Sequence, residues 1–150
     1  MKWVDIASPS LRKVYQSWVS KRGTRLMTHI REYNGFLVFA PENTSVSVRM
    51  SKDSGIPTIR HVGSAVTARF PEMVSGKSFA DFVSVTTRVL ILQPYFDVAK
   101  NRQPECQRGT ARLPGQQLNY EQLLLPFDND QLQVGIVHAV YEFGIARERA

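Results

Sequence analysis

The last apolar run of the chain, residues 132–143, constrains the fold more than any other segment. Apolar side chains occupy both of its alternating faces. One face carries Val134, Ile136 and Val140, and the other carries Val137, Ala139, Tyr141 and Phe143. A strand that is buried on both faces lies inside a sheet that other elements cover on both sides. This run therefore predicts a central strand of a sheet with two covered faces.

Four further extended runs accompany this strand. Residues 45–50 alternate strictly and are joined to residues 56–62 by turn residues at 52–55, which predicts a hairpin. Residues 104–111 and 120–127 follow later, bounded by turn residues at 114–115 and 128–130. The order of strands and helices predicts an antiparallel α+β domain.

The first 22 residues contain a helix signal. Apolar residues recur at the spacing of one helix face, with Ser8 as N-cap, Pro9 at the first helical position and Gly23 at the end. The stripe consists of Leu11, Val14, Tyr15, Trp18 and Val19. Either the chain's own sheet or the same helix of a second copy must cover it. We expect Leu11, Val14, Tyr15 and Trp18 to help bury a homodimer interface.

The middle of the chain predicts several short helices. Residues 64–70 form one, with Ser64 as possible cap, and the mostly apolar residues 83–92 form the main one, which Pro94 should break before a new start near Tyr95. Between them, Pro71 opens a turn, Gly76 closes it, and Phe79 begins another helix. Residues 36–41 are apolar but too short to separate helix from strand.

This central segment resembles the middle of PAS domains, where a Pro-Glu-Glu-Leu-like turn precedes Gly-Lys-Ser and a Phe-rich helix. A bacterial PAS subgroup is similar in more detail. Its Trp-x-x-x-Arg-Gly segment matches residues 18–23, its Arg-x-x-Gly-Thr segment matches residues 60–64, and its Leu-Leu-Leu-Pro-Leu strand matches residues 123–127. Three positions depart from that pattern, namely Met27, His61 and Ser64.

The resemblance implies a PAS-like five-stranded antiparallel sheet with short helices on one face and an N-terminal cap helix. Residues 1–23 would form the cap helix, 24–143 the PAS-like domain and 144–150 a basic tail. It also implies a non-catalytic sensory domain that binds a small ligand or a partner protein and relays its state through dimer or signalling-partner contacts. A cavity is expected between the sheet and the helices of residues 64–100.

Four residues are the candidates for ligand binding, and they are Arg60, Phe82, Tyr95 and His138. The cofactor stays unidentified. Haem-binding relatives use a histidine on the long helix, and residues 83–100 contain none. Photoreactive flavin relatives need a helical cysteine, whereas Cys106 begins a strand. Non-covalent flavin, a small acid and a fatty acid remain open.

Other chemistry has less support. Gly76-Lys77-Ser78 lacks the glycine that a phosphate-binding loop needs five residues earlier, because Pro71 stands there. His29, His61 and His138 have no metal-site spacing. No nucleophile motif indicates an enzyme, although a cone-shaped α+β isomerase fold, which normally begins with a longer helical hairpin, is an alternative.

Charge and localisation give weaker constraints. Nineteen Lys and Arg against thirteen Asp and Glu leave a net charge of +6 without a dense basic block, so a nucleic-acid-binding regulator is only an alternative and we expect no tight nucleic-acid binding. No apolar run approaches the roughly 20 residues of a membrane span. With its single Cys106, the chain is expected in the cytoplasm, away from membranes.

Overall fold

The computed structural model describes residues 5–51, 55–113 and 115–144, with the side chain of Leu113 excepted. Part of the predicted turn at 52–55 and all but Gly144 of the basic tail at 144–150 lie outside the described residues. The helices are α1 (Pro9–Arg22), α2 (Tyr33–Leu37), α3 (Ser64–Arg69) and α4 (Gln93–Asn101). The strands are β1 (Thr28–His29), β2 (Ser45–Arg49), β3 (Thr58–Val62), β4 (Glu105–Leu113), β5 (Gln116–Asp128) and β6 (Val134–Phe143).

Five antiparallel strands form the sheet, as predicted. The order β5-β6-β2-β3 continues on the other edge of β5, where β4 pairs with residues 116–124. The two-residue strand β1 adds a short parallel pairing to the far end of β5, with Thr28 opposite Phe127. The sheet and its short helices confirm the α+β, PAS-like fold class, and the N-terminal helix is present.

Two apolar cores lie on opposite faces of this sheet. Along β5, Leu124 belongs to the core under α3 and α4, whereas its neighbours Leu123 and Leu125 belong to the core under α1 and α2. Along β6, Val137 and Val140 divide in the same way. The alternation predicted a strand that is buried on both faces, and β6 is that strand.

Helix α1 begins and ends at the predicted caps, Ser8 and Gly23. The Ser8 hydroxyl accepts from the amide of Leu11, and Gly23 has a φ of 61°, a conformation that favours glycine. The apolar stripe faces the chain's own sheet, and the Trp18 indole donates to the carbonyl oxygen of Pro126 at 3.0 Å. The side chains of Leu11, Val14, Tyr15 and Trp18 are thus buried within one chain. The stripe itself therefore gives no reason to require a second copy.

Pro94 does not break the main helix as predicted. Residues Thr87–Leu92 form a π-helical turn that runs directly into α4, and Pro94 occupies the first turn of α4. Because proline has no amide hydrogen, the Leu90 carbonyl loses its α-helical donor. The Gln107 side chain donates to this carbonyl at 3.2 Å instead. A side chain from β4 thus compensates for the missing amide.

The ambiguous apolar segment begins inside a helix, because α2 covers Tyr33–Leu37. Helix α3 agrees with the prediction in extent, but its N-cap is Gly63, one residue before Ser64. Within residues 5–51, α1 leads to the short β1 and α2, without the long helical hairpin of the alternative isomerase fold. Among the described helices, none has the length and hydropathy that crossing a membrane requires.

Candidate functional site

A chain of hydrogen bonds on the α2 face of the sheet joins three buried polar side chains. The Tyr33 hydroxyl donates to the Ser47 hydroxyl at 2.8 Å, and it lies 2.8 Å from Nδ1 of His138. Ser47 and His138 face each other across the β2–β6 ladder. The first residue of α2 is thus hydrogen-bonded to two neighbouring central strands.

These bonds define which nitrogen of His138 carries the proton. Tyr33 has one hydroxyl proton, which goes to Ser47, so Nδ1 of His138 must donate to the Tyr33 oxygen. Nε2 is then a bare acceptor. It is buried and has no hydrogen-bond partner among the described residues. An unsatisfied buried acceptor is uncommon in proteins and calls for a structural or functional reason.

Burial keeps this imidazole neutral. Desolvation, with a smaller contribution from the charge of His61, lowers the pKa of His138 to about 3. The ring of Phe36 lies edge-on at 5.2 Å between ring centres and is itself packed on Phe127 at 5.1 Å. The histidine therefore sits among aromatic rings as an uncharged hydrogen-bonding group.

A β-bulge brings two basic residues to the same place. In the β2–β3 ladder Ser47 pairs with His61 and Val48 pairs with Ile59, so Arg60 is an extra residue without a partner in the ladder. A bulge re-aims side chains that strict alternation would send to opposite faces. As a result, Arg60 and His61 both border the α2 face, beside the Ser47–Tyr33–His138 chain.

These residues border a half-open cavity of about 380 Å³ between α2 and the strands β2, β3 and β6. Its volume lies near the lower end of the range for ligand sites, about 300–1,000 Å³. Its walls combine apolar, hydroxyl and charged groups. The lining residues are Tyr33, Leu37, Ala40, Glu42, Ser45, Ser47, Arg60, His61 and His138.

The four residues predicted to bind ligand are divided between the two faces of the sheet. Arg60 and His138 line this cavity, whereas Phe82 and Tyr95 belong to the core on the opposite face. Phe82 packs against Phe79 with the Lys77 ammonium 4.7 Å from its ring centre. We expected the cavity between the sheet and residues 64–100. The cavity that Arg60 and His138 line lies on the opposite face of the sheet, beside α2.

Sequence reasoning missed Tyr33 and Ser47. A signal for Ser47 was present, because Ser45 and Ser47 form the polar face of the alternating strand β2, and both are buried. Small hydroxyl residues on a buried strand face indicate polar contacts above it. Tyr33 gave no comparable signal, since its role depends on contacts with residues 14 and 105 positions away in sequence.

Cys106 and the other histidines do not form a second reactive centre with these groups. Burial and then the Glu121 carboxylate raise the pKa of Cys106 to about 12, so the thiol stays protonated at neutral pH. His29 pairs with Asp130 at the far end of β1. Within residues 5–51, 55–113 and 115–144, no three metal-binding side chains lie together.

Similarity to known proteins is found in structure and not in sequence. No family model and no curated protein matches the sequence. The PAS domain of BvgS from Bordetella pertussis is a similar solved structure, with a TM-score of 0.47 and 14% identity over 78% of this chain and 87% of that one. A likeness of this strength supports no transfer of ligand or activity. The architecture of this chain, an antiparallel five-stranded sheet with the short helices α3 and α4 on one face and the N-terminal helix together with α2 on the other, is PAS-like.

Proposed function

We propose that this chain is a non-catalytic sensory domain that binds a small ligand beside His138 and passes the bound state to another protein. One observation carries the proposal. A cavity of about 380 Å³ is lined by the hydrogen-bonded Tyr33, Ser47 and His138 and by the charged Arg60. A cavity that combines apolar walls with a few polar groups is typical of a site for a small molecule.

The position of the cavity suits a sensor, because an occupant contacts a short helix and the central strands together. Helix α2 has five residues, and its first residue, Tyr33, is hydrogen-bonded to Ser47 and His138. A helix of this length has little stability of its own and depends on such contacts. A ligand that contacts Tyr33 in the cavity therefore acts directly on the anchor of α2.

Contacts between α2 and α1 supply a route from the cavity to the surface. The Lys21 ammonium of α1 lies against Gly35 and 5.8 Å from the ring centre of Phe39. Val38 and Phe39, which follow α2, are 80% and 58% exposed. A homodimer or an unidentified signalling protein would use such a surface rather than the stripe of α1, which already packs on the sheet.

A thermal-shift panel of flavins, haem, short carboxylic acids and fatty acids tests ligand binding. A compound at one hundred times its dissociation constant adds about 2.7 kcal/mol of stability, or roughly 5–10 °C in a chain of this size. Arg60→Gln should reduce that shift. Arg112→Gln, on the exposed surface of β4, is the matched control and should leave it unchanged.

Sedimentation velocity with and without the stabilising compound then tests whether ligand binding changes the association of the chain with a second copy. We expect the compound to change the proportion of dimer, or the affinity for a partner once one is identified. Failure of every compound in the panel to raise the melting temperature would overturn the proposed ligand-binding function.

A further inference from the structure

We infer that a second site on this chain binds a dianionic phosphate group between Arg49 and Arg60. The group belongs to a small phosphomonoester or is free phosphate. The site is a half-open groove of about 560 Å³ at the end of the sheet where Arg49 of β2 lies opposite Ile136 of β6. It goes beyond the proposed function, since the groove shares only Arg60 with the cavity beside α2.

Arg49 and Arg60 come to the groove from two neighbouring strands. Arg49 is the last residue of β2 and pairs with Thr58 of β3, and Arg60 follows Thr58 by two residues as the extra residue of the bulge. Diagonal neighbours across a ladder lie roughly 7–8 Å apart, within reach of long side chains. Both arginines are exposed and both border the groove. One anion in the groove can therefore bind to both guanidinium groups.

Neither guanidinium group has an acidic partner among the described residues. No ion pair or side-chain hydrogen bond of Arg49 or Arg60 is found there, and none of the residues that border the groove is an aspartate or a glutamate. The carboxylates of Asp128 and Asp130, which flank Asn129 in the sequence, are already bonded to other side chains. Two positive charges therefore remain available to an anionic ligand.

Asn129 adds an uncharged donor to the same groove. Its side-chain oxygen accepts from the backbone amides of Gln131 at 3.0 Å and Gln133 at 3.1 Å, so the oxygen is occupied within the turn. Its amide nitrogen, which carries two hydrogens, has no hydrogen-bond partner in the described part of the chain. The groove thus combines two cations and a neutral donor, all of which bind to acceptor oxygens.

A phosphate group fits this set of donors better than a carboxylate does. A carboxylate has one charge and two oxygens, and a single guanidinium group satisfies both oxygens. The phosphate of a monoester carries a charge of about −1.5 to −2 at pH 7 and three acceptor oxygens, which suits two arginines and an amide. The lining also includes apolar side chains that an uncharged ligand body can contact, namely Ile30, Met50, Val134 and Ile136. The first probe is therefore phenyl phosphate.

Isothermal titration calorimetry of the full chain at low salt compares phenyl phosphate with three analogues. Benzenesulfonate keeps three oxygens but has one charge, benzoate has two oxygens and one charge, and inorganic phosphate lacks the ring. We expect phenyl phosphate to bind at least about tenfold more tightly than either monoanion. Tighter binding of phenyl phosphate than of inorganic phosphate assigns the site to an ester, and the opposite order assigns it to free phosphate. Equal affinities of phenyl phosphate and benzenesulfonate, or no heat from either phosphate at millimolar concentration, would overturn the inference.

Single substitutions test the two arginines, and both positions are exposed, so the variants should fold. Arg49→Gln and Arg60→Gln should each weaken the binding of phenyl phosphate about tenfold and reduce its advantage over benzenesulfonate. Arg49→Lys keeps the charge but not the two parallel hydrogen bonds, so it should recover only part of the affinity. Arg112→Gln, on the exposed surface of β4, should change nothing. Unchanged affinity in both Arg49→Gln and Arg60→Gln would contradict the assignment.

Amide ¹H–¹⁵N spectra locate the bound phosphate and separate this site from the cavity beside α2. The Met50 amide donates to the Gly135 carbonyl at 2.9 Å, and both residues border the groove, so their signals should shift on addition of phenyl phosphate. Shifts confined to other parts of the chain would overturn the inference. Arg49 does not border the cavity, so Arg49→Gln should leave stabilisation by a cavity ligand unchanged. Failure of phenyl phosphate to bind, together with stabilisation by a compound of the thermal-shift panel, would refute this site and leave the proposed function intact.

Discussion

The hydroxyl oxygens of Tyr95 and Tyr141 lie 2.7 Å apart in the core between α4 and the sheet. The Gln122 amide extends this contact by donating to Tyr141 at 2.8 Å and to the Ile91 carbonyl at 3.2 Å. Burial raises the pKa of both tyrosines, so the contact joins two neutral hydroxyls. Gln107 lies beside them and donates to the side-chain carbonyl of Gln122. The buried polar groups of this face thus satisfy one another.

Removal of one hydroxyl from this pair should cost more free energy of unfolding than the loss of one hydrogen bond, because buried partners are left unsatisfied. Tyr141→Phe leaves the buried Tyr95 hydroxyl and one Gln122 hydrogen without partners, so we expect a loss of about 1–3 kcal/mol in the free energy of unfolding. Urea denaturation measures it. In a double-mutant cycle, Tyr95→Phe should cost less in the Tyr141→Phe background than in wild type. Additive losses would show that the two hydroxyls do not interact.

A side chain at position 63 should destabilise the fold, because the backbone around Gly63 leaves no room for it. A Cβ at this position would clash with the carbonyl oxygen of Asn43, a backbone atom that has little freedom to move. We expect Gly63→Ala to destabilise the fold by at least about 3 kcal/mol in urea denaturation. Gly135→Ala is the control, because its Cβ would meet only the flexible end of Ile30 at 3.2 Å. Equal losses in the two variants would contradict the steric explanation.

Local patterns predicted most of the fold. Helix α1 was predictable because Ser8 and Gly23 mark its ends and its stripe repeats with helical spacing. The strand β6 was predictable because both its faces are apolar. In each case the information lies within about fifteen consecutive residues. The segment 70–82, which resembles PAS domains, also places Gly76 at a φ of 87°, as expected for the end of a turn.

The site was harder to predict because long-range pairing builds it. Periodicity gives no sign of the bulge that places Arg60 and His61 together, because the bulge becomes visible only when β3 is aligned with β2. We expected Arg60 to share a cavity with Tyr95, whereas Tyr95 lies across the sheet from Arg60. The continuation of the main helix through Pro94 was missed for a similar reason, because the side chain that bonds to the Leu90 carbonyl, Gln107, comes from a distant strand.

Truncation of Trp18 should lower the stability of the single chain rather than only weaken its association with a second copy. Its side chain is fully buried, its indole donates to Pro126, and its backbone carbonyl accepts from the Thr28 hydroxyl. We expect Trp18→Ala to lower the free energy of unfolding by about 3–5 kcal/mol, which is typical of a large core residue. Chemical denaturation gives this value, and sedimentation velocity gives the oligomeric state. A stable Trp18→Ala monomer derived from a wild-type dimer would instead place the residue at an interface between copies.

Acid should destabilise the fold through His138 at a pH well above the range in which carboxylates titrate. The pKa of this histidine is about 3 in the folded chain, against 6.5 for an unperturbed histidine, so between these values the unfolded chain binds one more proton. Stability is therefore unaffected by this group above pH 6.5 and falls as the pH drops below it. The expected loss between pH 7 and pH 5 is about 2 kcal/mol.

His138→Phe should remove this dependence, because no proton is then taken up on unfolding at that position. Urea denaturation at pH 7, 6 and 5 compares the two chains, and the stability of wild type relative to the variant should fall steadily with the pH. Arg112→Gln, at an exposed position on β4, is the control and should leave the slope nearly unchanged. A slope that is the same in wild type and His138→Phe would mean that His138 is not buried as a neutral imidazole.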